Sequence, residues 1–111
     1  MSLKSSAKGH VSWRHQRVTA IILLLSLCFI LVTLCCQRHA SGQELLHWLH
    51  HPASKAFAFI ALNTLFYHSF LGIKMVLEDY IHLKAMRQAS LFVCFILHLF
   101  FAAFGSILIL F

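Results

Sequence analysis

Long charge-free apolar runs alternate with short polar segments along this chain, and that alternation predicts its architecture. Residues 18–36, 56–73 and 89–111 contain no Asp, Glu, Lys or Arg. Each run is near the length of about 20 residues that carries a helix across a hydrocarbon core of about 30 Å. The pattern predicts an all-α membrane protein with three transmembrane helices over about 18–36, 56–77 and 89–111, so that 18–111 forms one membrane domain. Residues 1–17, with Lys4 and Lys8 among Ser and Gly, are predicted to form a flexible inside tail. The first run exceeds the apolar core of a secretory signal and no small-x-small cleavage site follows it, so it is expected to stay in the mature protein.

Composition agrees with the pattern. Of 111 residues 60% are hydrophobic and 11% charged, a balance that leaves a soluble domain of this size short of polar surface. Lys4, Lys8, Arg14, Arg17, Lys74, Lys84 and Arg87 flank one end of the predicted spans, against Arg38 and Lys55 at the other. The positive-inside rule then puts the N-terminus and the second loop inside and the C-terminus outside. Trp13 and Trp48 fall beside opposite ends, as interfacial anchors do. The net charge of +6 flanks spans and does not gather on a polar domain, which argues against nucleic acid as a partner and for membrane lipid. Cys28 and Cys94 lie within spans and Cys35-Cys36 are adjacent. No CxxC spacing occurs, and packing roles are expected.

Nine histidines sort by depth. His68 lies near the middle of the second run, where a polar group without a partner is costly and usually marks a function. Ala61, Thr64, His68 and Gly72 follow at steps of three, four and four, a stripe of small side chains beside the imidazole. Such a stripe admits a flat group or another backbone, and a porphyrin held by a neutral imidazole nitrogen fits. An interhelical hydrogen bond is the plainer alternative. His98 sits at a similar predicted depth in the third run, with Ala102 and Gly105 on its face, so a haem clamped by His68 and His98 within the chain stays open. His47, His50 and His51 are spaced to share one side of a short helix and could bind zinc or copper. Leu45, Leu46, Trp48 and Leu49 favour an interfacial amphipathic turn, which Pro52 separates from the next helix.

At the inner end of the second run stands Glu78-Asp79-Tyr80, between Lys74 and His82. Eleven residues turn a helix through about 1100°, close to three full turns, so His68 and Asp79 share one face. A tyrosine hydroxyl can donate to a quinone carbonyl and a neighbouring carboxylate can relay protons. Interfacial tyrosine and a solvated charge cluster explain the same residues without a quinone.

Taken together, QRVTA at the inner end of the first span, H-x-x-x-G within the second and EDYIH after it resemble the small cytochrome b membrane-anchor subunit of succinate dehydrogenase, respiratory complex II. The resemblance covers residues 13–87. It implies that His68 is one axial ligand of haem b, with the second histidine supplied by a companion cytochrome b anchor subunit. It implies that Tyr80 and Asp79 border the ubiquinone site, built jointly with that subunit and the iron-sulfur subunit, and that Arg17 lies near the haem propionates. The flavoprotein subunit would attach through the iron-sulfur subunit, and the membrane would be a bacterial inner membrane or, as the alternative, a mitochondrial one.

The sequence is therefore read as a membrane anchor in a succinate:quinone oxidoreductase, not oxidising succinate by itself, since it has no dinucleotide fingerprint and no cysteine set spaced for a cluster. The alternatives are a stand-alone b-type cytochrome using His68 and His98, and a metal-handling membrane protein using His47, His50 and His51.

Overall fold

A computed structural model describes residues 3–111, with side chains from Gly9 onward. Four helices follow in order: α1 (Leu3–Cys36), α2 (Gly42–His50), α3 (Pro52–Tyr80) and α4 (Lys84–Leu110). Three stretches are long and apolar enough to span a bilayer, Gly9–Cys36, Pro52–Tyr80 and Lys84–Leu110. The boundaries exceed the charge-free runs. Residues 3–17, expected as a flexible tail, continue α1 upstream without a break. Nothing there stops a helix: no proline occurs before Pro52, and once a span is nucleated each further residue adds a hydrogen bond at little cost. At about 1.5 Å per residue the 34 residues of α1 run to about 51 Å, well beyond a hydrocarbon core.

The short amphipathic turn before Pro52 is α2, and its start is specified by a capping box. The Ser41 hydroxyl accepts from the Glu44 N–H at 3.3 Å, and Glu44 Oε2 accepts from the Ser41 N–H at 2.7 Å. That backbone N–H, and then the Ser41 hydroxyl, hold the Glu44 carboxyl below its ordinary range. Pro52 opens α3, where its missing N–H costs nothing.

α3 stands between α1 and α4, which among the described residues do not pack on each other. Along α1 the covered positions are Ser12, Gln16, Thr19, Leu23, Ser26, Ile30 and Thr33. Steps alternating three and four keep one seam turned to an antiparallel neighbour. More than half of that seam is hydroxyl-bearing. Thr19, Ser26 and Thr33 each donate to the carbonyl four residues back, at 2.7, 2.8 and 2.7 Å, which satisfies the hydroxyl and lets the backbones approach. Phe29 stacks on Phe57 with ring centroids 3.9 Å apart at the other end of the seam.

Three polar contacts and one close approach join α3 to α4, one of them the Lys55 ammonium donating to the Leu110 carbonyl at 3.5 Å. The Asn63 amide donates to Ser106 Oγ at 3.0 Å, and His98 Nε2 meets Ser69 Oγ at 3.3 Å. Gly105 lies so near Leu62 that an added Cβ would come within 2.6 Å of its Cδ2. Among the described residues only Thr19, Ser26, Ala61 and Leu71 are buried, and none of them belongs to α4. The outer faces carry Phe92, Phe95, Phe100 and Phe104 exposed. So large an apolar surface belongs against lipid or other membrane subunits. Cys28, Cys35 and Cys36, expected to pack, are exposed because they lie off the α1 seam.

Candidate functional site

The half of the α1–α3 interface nearer the start of α1 gathers the chemistry-bearing residues. Because the two helices run antiparallel, Tyr67 and His68 on α3 meet His15 and Thr19 on α1. His15 Nδ1 lies 2.8 Å from the Tyr67 hydroxyl and His68 Nδ1 lies 3.0 Å from Thr19 Oγ1. Two adjacent residues of one helix thus each bond across to the other. Val11, Arg14, His15, Thr19 and Tyr67 line an open recess of about 480 Å³ beside this zipper.

His68 is half-buried and uses one ring nitrogen within the bundle. Its Nε2 has no hydrogen-bond partner among the described residues. No fully buried polar side-chain atom in the described bundle lacks a partner, so Nε2 reaches the surface of the chain. One turn on, a Cβ placed on Gly72 would meet nothing within 4 Å, leaving open space beside the imidazole. The other end of the predicted small-residue stripe is closed, since Ala61 is packed into the bundle. An imidazole nitrogen at membrane depth, exposed along a side with no bulk one turn away, fits a haem ligand.

Asp79 also turns toward α1. With Gly9, Ser12, Trp13, Lys74, Met75 and Glu78 it lines a recess of about 440 Å³ where α1 leaves the bundle. Lys74 lies 4.0 Å from Glu78. Tyr80 does not line this recess: the last residue of α3, it is 79% exposed. Neighbours on a helix point about 100° apart, so Asp79 and Tyr80 serve different surfaces. Arg17 is exposed and lays its guanidinium over Trp13, 5.5 Å from the ring centroid. Two residues before Thr19, it points about 160° away from the side that meets His68.

His98 departs from the intrachain clamp. It does lie near the depth of His68, since it meets Ser69, but on the α4 side of α3. Its Nδ1 lies 2.8 Å from the Cys94 carbonyl and its Nε2 contacts Ser69, with Phe66 and Phe70 presented edge-on. Both ring nitrogens are occupied by groups of this chain, and α3 itself separates the ring from the Thr19 side. The metal alternative at His47, His50 and His51, already the weaker reading beside an amphipathic turn, finds no support in the geometry, for among the described residues no three His, Cys, Asp or Glu side chains converge. His50 bonds the Leu46 carbonyl at 2.8 Å and His51 accepts from the Ala53 N–H at 3.2 Å, capping α3. Local backbone bonds at the helix junction claim the rings of His50 and His51.

Sequence reasoning missed Thr19, Tyr67 and His15. QRVTA drew notice for its arginine, yet the threonine is the residue that reaches His68. The signal was present in Thr19, Ser26 and Thr33, which recur every seven residues through an otherwise largely apolar run.

Comparison with known proteins fits this geometry. Residues 2–107 match the family described as succinate dehydrogenase/fumarate reductase transmembrane subunit. A succinate dehydrogenase hydrophobic membrane anchor subunit of Rickettsia bellii is 32% identical over 76% of this chain and 67% of its own length. One of Rickettsia conorii is 32% identical over 80% and 71%, and one of Coxiella burnetii 26% identical over 85% and 83%. No solved structure matches the chain significantly. Three apolar spans, a half-buried histidine zipped to the first of them and a family match over nearly the whole length lead to one assignment: this chain belongs to the succinate dehydrogenase/fumarate reductase transmembrane subunit family.

Proposed function

We propose that this chain is the smaller membrane anchor of a succinate:quinone oxidoreductase, holds one axial position of haem b with His68, and contributes Tyr80 and Asp79 to ubiquinone reduction. The observation that carries the reading is His68 itself: Nδ1 is fixed on α1 while Nε2 is partnerless among the described residues at membrane depth, a costly arrangement unless something outside the chain takes that nitrogen. Occupied ring nitrogens on His98 leave the second axial position to a companion cytochrome b anchor subunit. Bound there, haem would supply a one-electron store between the iron-sulfur subunit and the quinone.

The chain's own residues orient, bind and handle protons. Thr19 restrains the His68 ring. Tyr80, exposed where α3 leaves the bundle, offers a hydroxyl to a quinone carbonyl on a surface completed by the companion and iron-sulfur subunits. Asp79, on the recess side, accepts and passes protons between water and that surface. Arg17, exposed beside Trp13, can swing to a propionate, since an arginine side chain reaches several ångströms along an interface. The flavoprotein subunit would join through the iron-sulfur subunit. The basic residues of α1, Lys74, Lys84 and Arg87 gather at one end of the bundle, supporting an N-terminus inside and a C-terminus outside. The bacterial sources of the relatives favour a bacterial inner membrane.

Expression with and without the companion subunit tests this reading. Low-spin haem absorbance is expected only in the assembled pair. A bis-histidine spectrum from the chain alone would refute the shared site.

A further inference from the structure

Thr19 carries more than packing. It is 7% exposed, and its Oγ1 lies 2.7 Å from the His15 carbonyl, 3.1 Å from the Gln16 carbonyl and 3.0 Å from His68 Nδ1. A hydroxyl has one proton and two acceptor lone pairs, whereas carbonyl oxygens only accept. Two of its three neighbours therefore require the hydroxyl to be the donor, and the shortest contact, to His15, takes the proton. What remains toward His68 is a lone pair, so the third contact forms only if Nδ1 brings a proton of its own.

We infer that Thr19 is a positioning residue that fixes His68 in the tautomer with Nδ1–H donating to the Thr19 hydroxyl, so that the Nε2 lone pair is presented at the chain surface as a metal ligand. The inference rests on the proposed ligand role of His68 and adds to it what sets the ring. The opposite tautomer would place a hydrogen on Nε2 and no lone pair toward iron. It would also set the Nδ1 lone pair against the hydroxyl's own lone pairs, unless the hydroxyl gave up both carbonyls. With Thr19 this little exposed, water has scant room to replace either bond. The backbone supports the arrangement: His15, whose carbonyl takes the hydroxyl proton, is tied to α3 by Tyr67, so acceptor, hydroxyl and imidazole are held by the same two helices. An N–H donor on the far nitrogen raises the basicity of a ligating imidazole and fixes its plane, and loss of such a partner typically lowers metal affinity about 10- to 100-fold.

The test uses the assembled complex in membranes, with Thr19→Val, which keeps the shape and deletes the hydroxyl, Thr19→Ser, which restores it, and His68→Ala. In Thr19→Val the haem should be held at least about tenfold less tightly, its midpoint potential should move positive and its low-spin electron paramagnetic resonance signal should shift. Thr19→Ser should return all three toward wild type, which a purely structural role for the methyl group would not do. An unchanged potential and signal in Thr19→Val, where His68→Ala has lost the haem, overturns this inference and leaves the ligand reading standing. Haem unchanged in His68→Ala overturns both. Should Thr19→Val fail to assemble, nitrogen-15 magnetic resonance decides on the wild-type complex. With histidine labelled in this chain and the complex assembled without haem, so that no iron excludes a proton from Nε2, His68 is expected to carry its proton on Nδ1. A proton on Nε2 refutes the inference.

Discussion

Replacing His98 by leucine separates a histidine that braces two helices from one that binds iron. The ring's Nδ1 bond goes to the Cys94 carbonyl, one turn back on its own helix. That carbonyl keeps the ladder bond of the helix, so removing the imidazole strands no acceptor. The Nε2 contact to Ser69 is long, 3.3 Å. Interhelical hydrogen bonds of this kind in membranes average about 0.6 kcal/mol and reach about 1.7, and the freed serine can turn to the carbonyl four residues back, as Ser26 and Ser106 do. Edge contacts with Phe66 and Phe70, at centroid distances of 6.1 and 5.8 Å, add about 0.5–1.5 kcal/mol each at most, much of which a leucine recovers by dispersion. The expected destabilisation is about 1–2 kcal/mol. It should register as a lower midpoint when the detergent-solubilised complex is unfolded by heat or denaturing surfactant, with haem content measured as the pyridine haemochrome unchanged. Haem falling in His98→Leu as far as in His68→Ala would refute the reasoning.

Tyr80→Phe keeps the ring and deletes the exposed hydroxyl, so quinone reductase activity should fall at least tenfold while succinate oxidation coupled to a water-soluble dye survives; equal retention of both reduces Tyr80 to an interfacial anchor. Gly105→Val should cost about 1–3 kcal/mol in a thermal melt of the complex, because a Cβ there starts 2.6 Å from Leu62 Cδ2, and Leu62→Ala in the same chain should recover most of the loss. Glu44, whose carboxyl is held below its ordinary value by the Ser41 N–H and hydroxyl, stabilises α2 while ionised. That contribution is complete above the unfolded carboxyl value of about 4.3 and disappears as pH falls through the lower folded value. A side-chain titration by carbon-13 magnetic resonance should put Glu44 below an unstructured glutamate, and the difference should vanish in Ser41→Ala.

The three spans were legible because a bilayer reads length and charge, and both lie open in a linear sequence. The common face of His68 and Asp79 was legible for the same reason, since helical period alone sets it, and both residues line up against α1. The partner choice of each imidazole was not. Nothing in a run of apolar letters says whether Ser69 or iron waits opposite His98, because that depends on which side of α3 each neighbour takes. The extension of α1 back to Leu3 was hidden by composition, as Ser and Gly are weak formers whose helix is inherited from the span that follows. Asp79 and Tyr80 looked like a pair in sequence and are turned apart in space, which only the position of α1 reveals.

In the proposed function His68 supplies one of two protein ligands to a haem shared between chains. The most direct test is the reduced-minus-oxidised spectrum of the assembled complex carrying His68→Ala, read beside its haem content. Loss or displacement of the low-spin haem is expected while succinate oxidation by the peripheral subunits persists. A low-spin spectrum and haem content equal to wild type would contradict it.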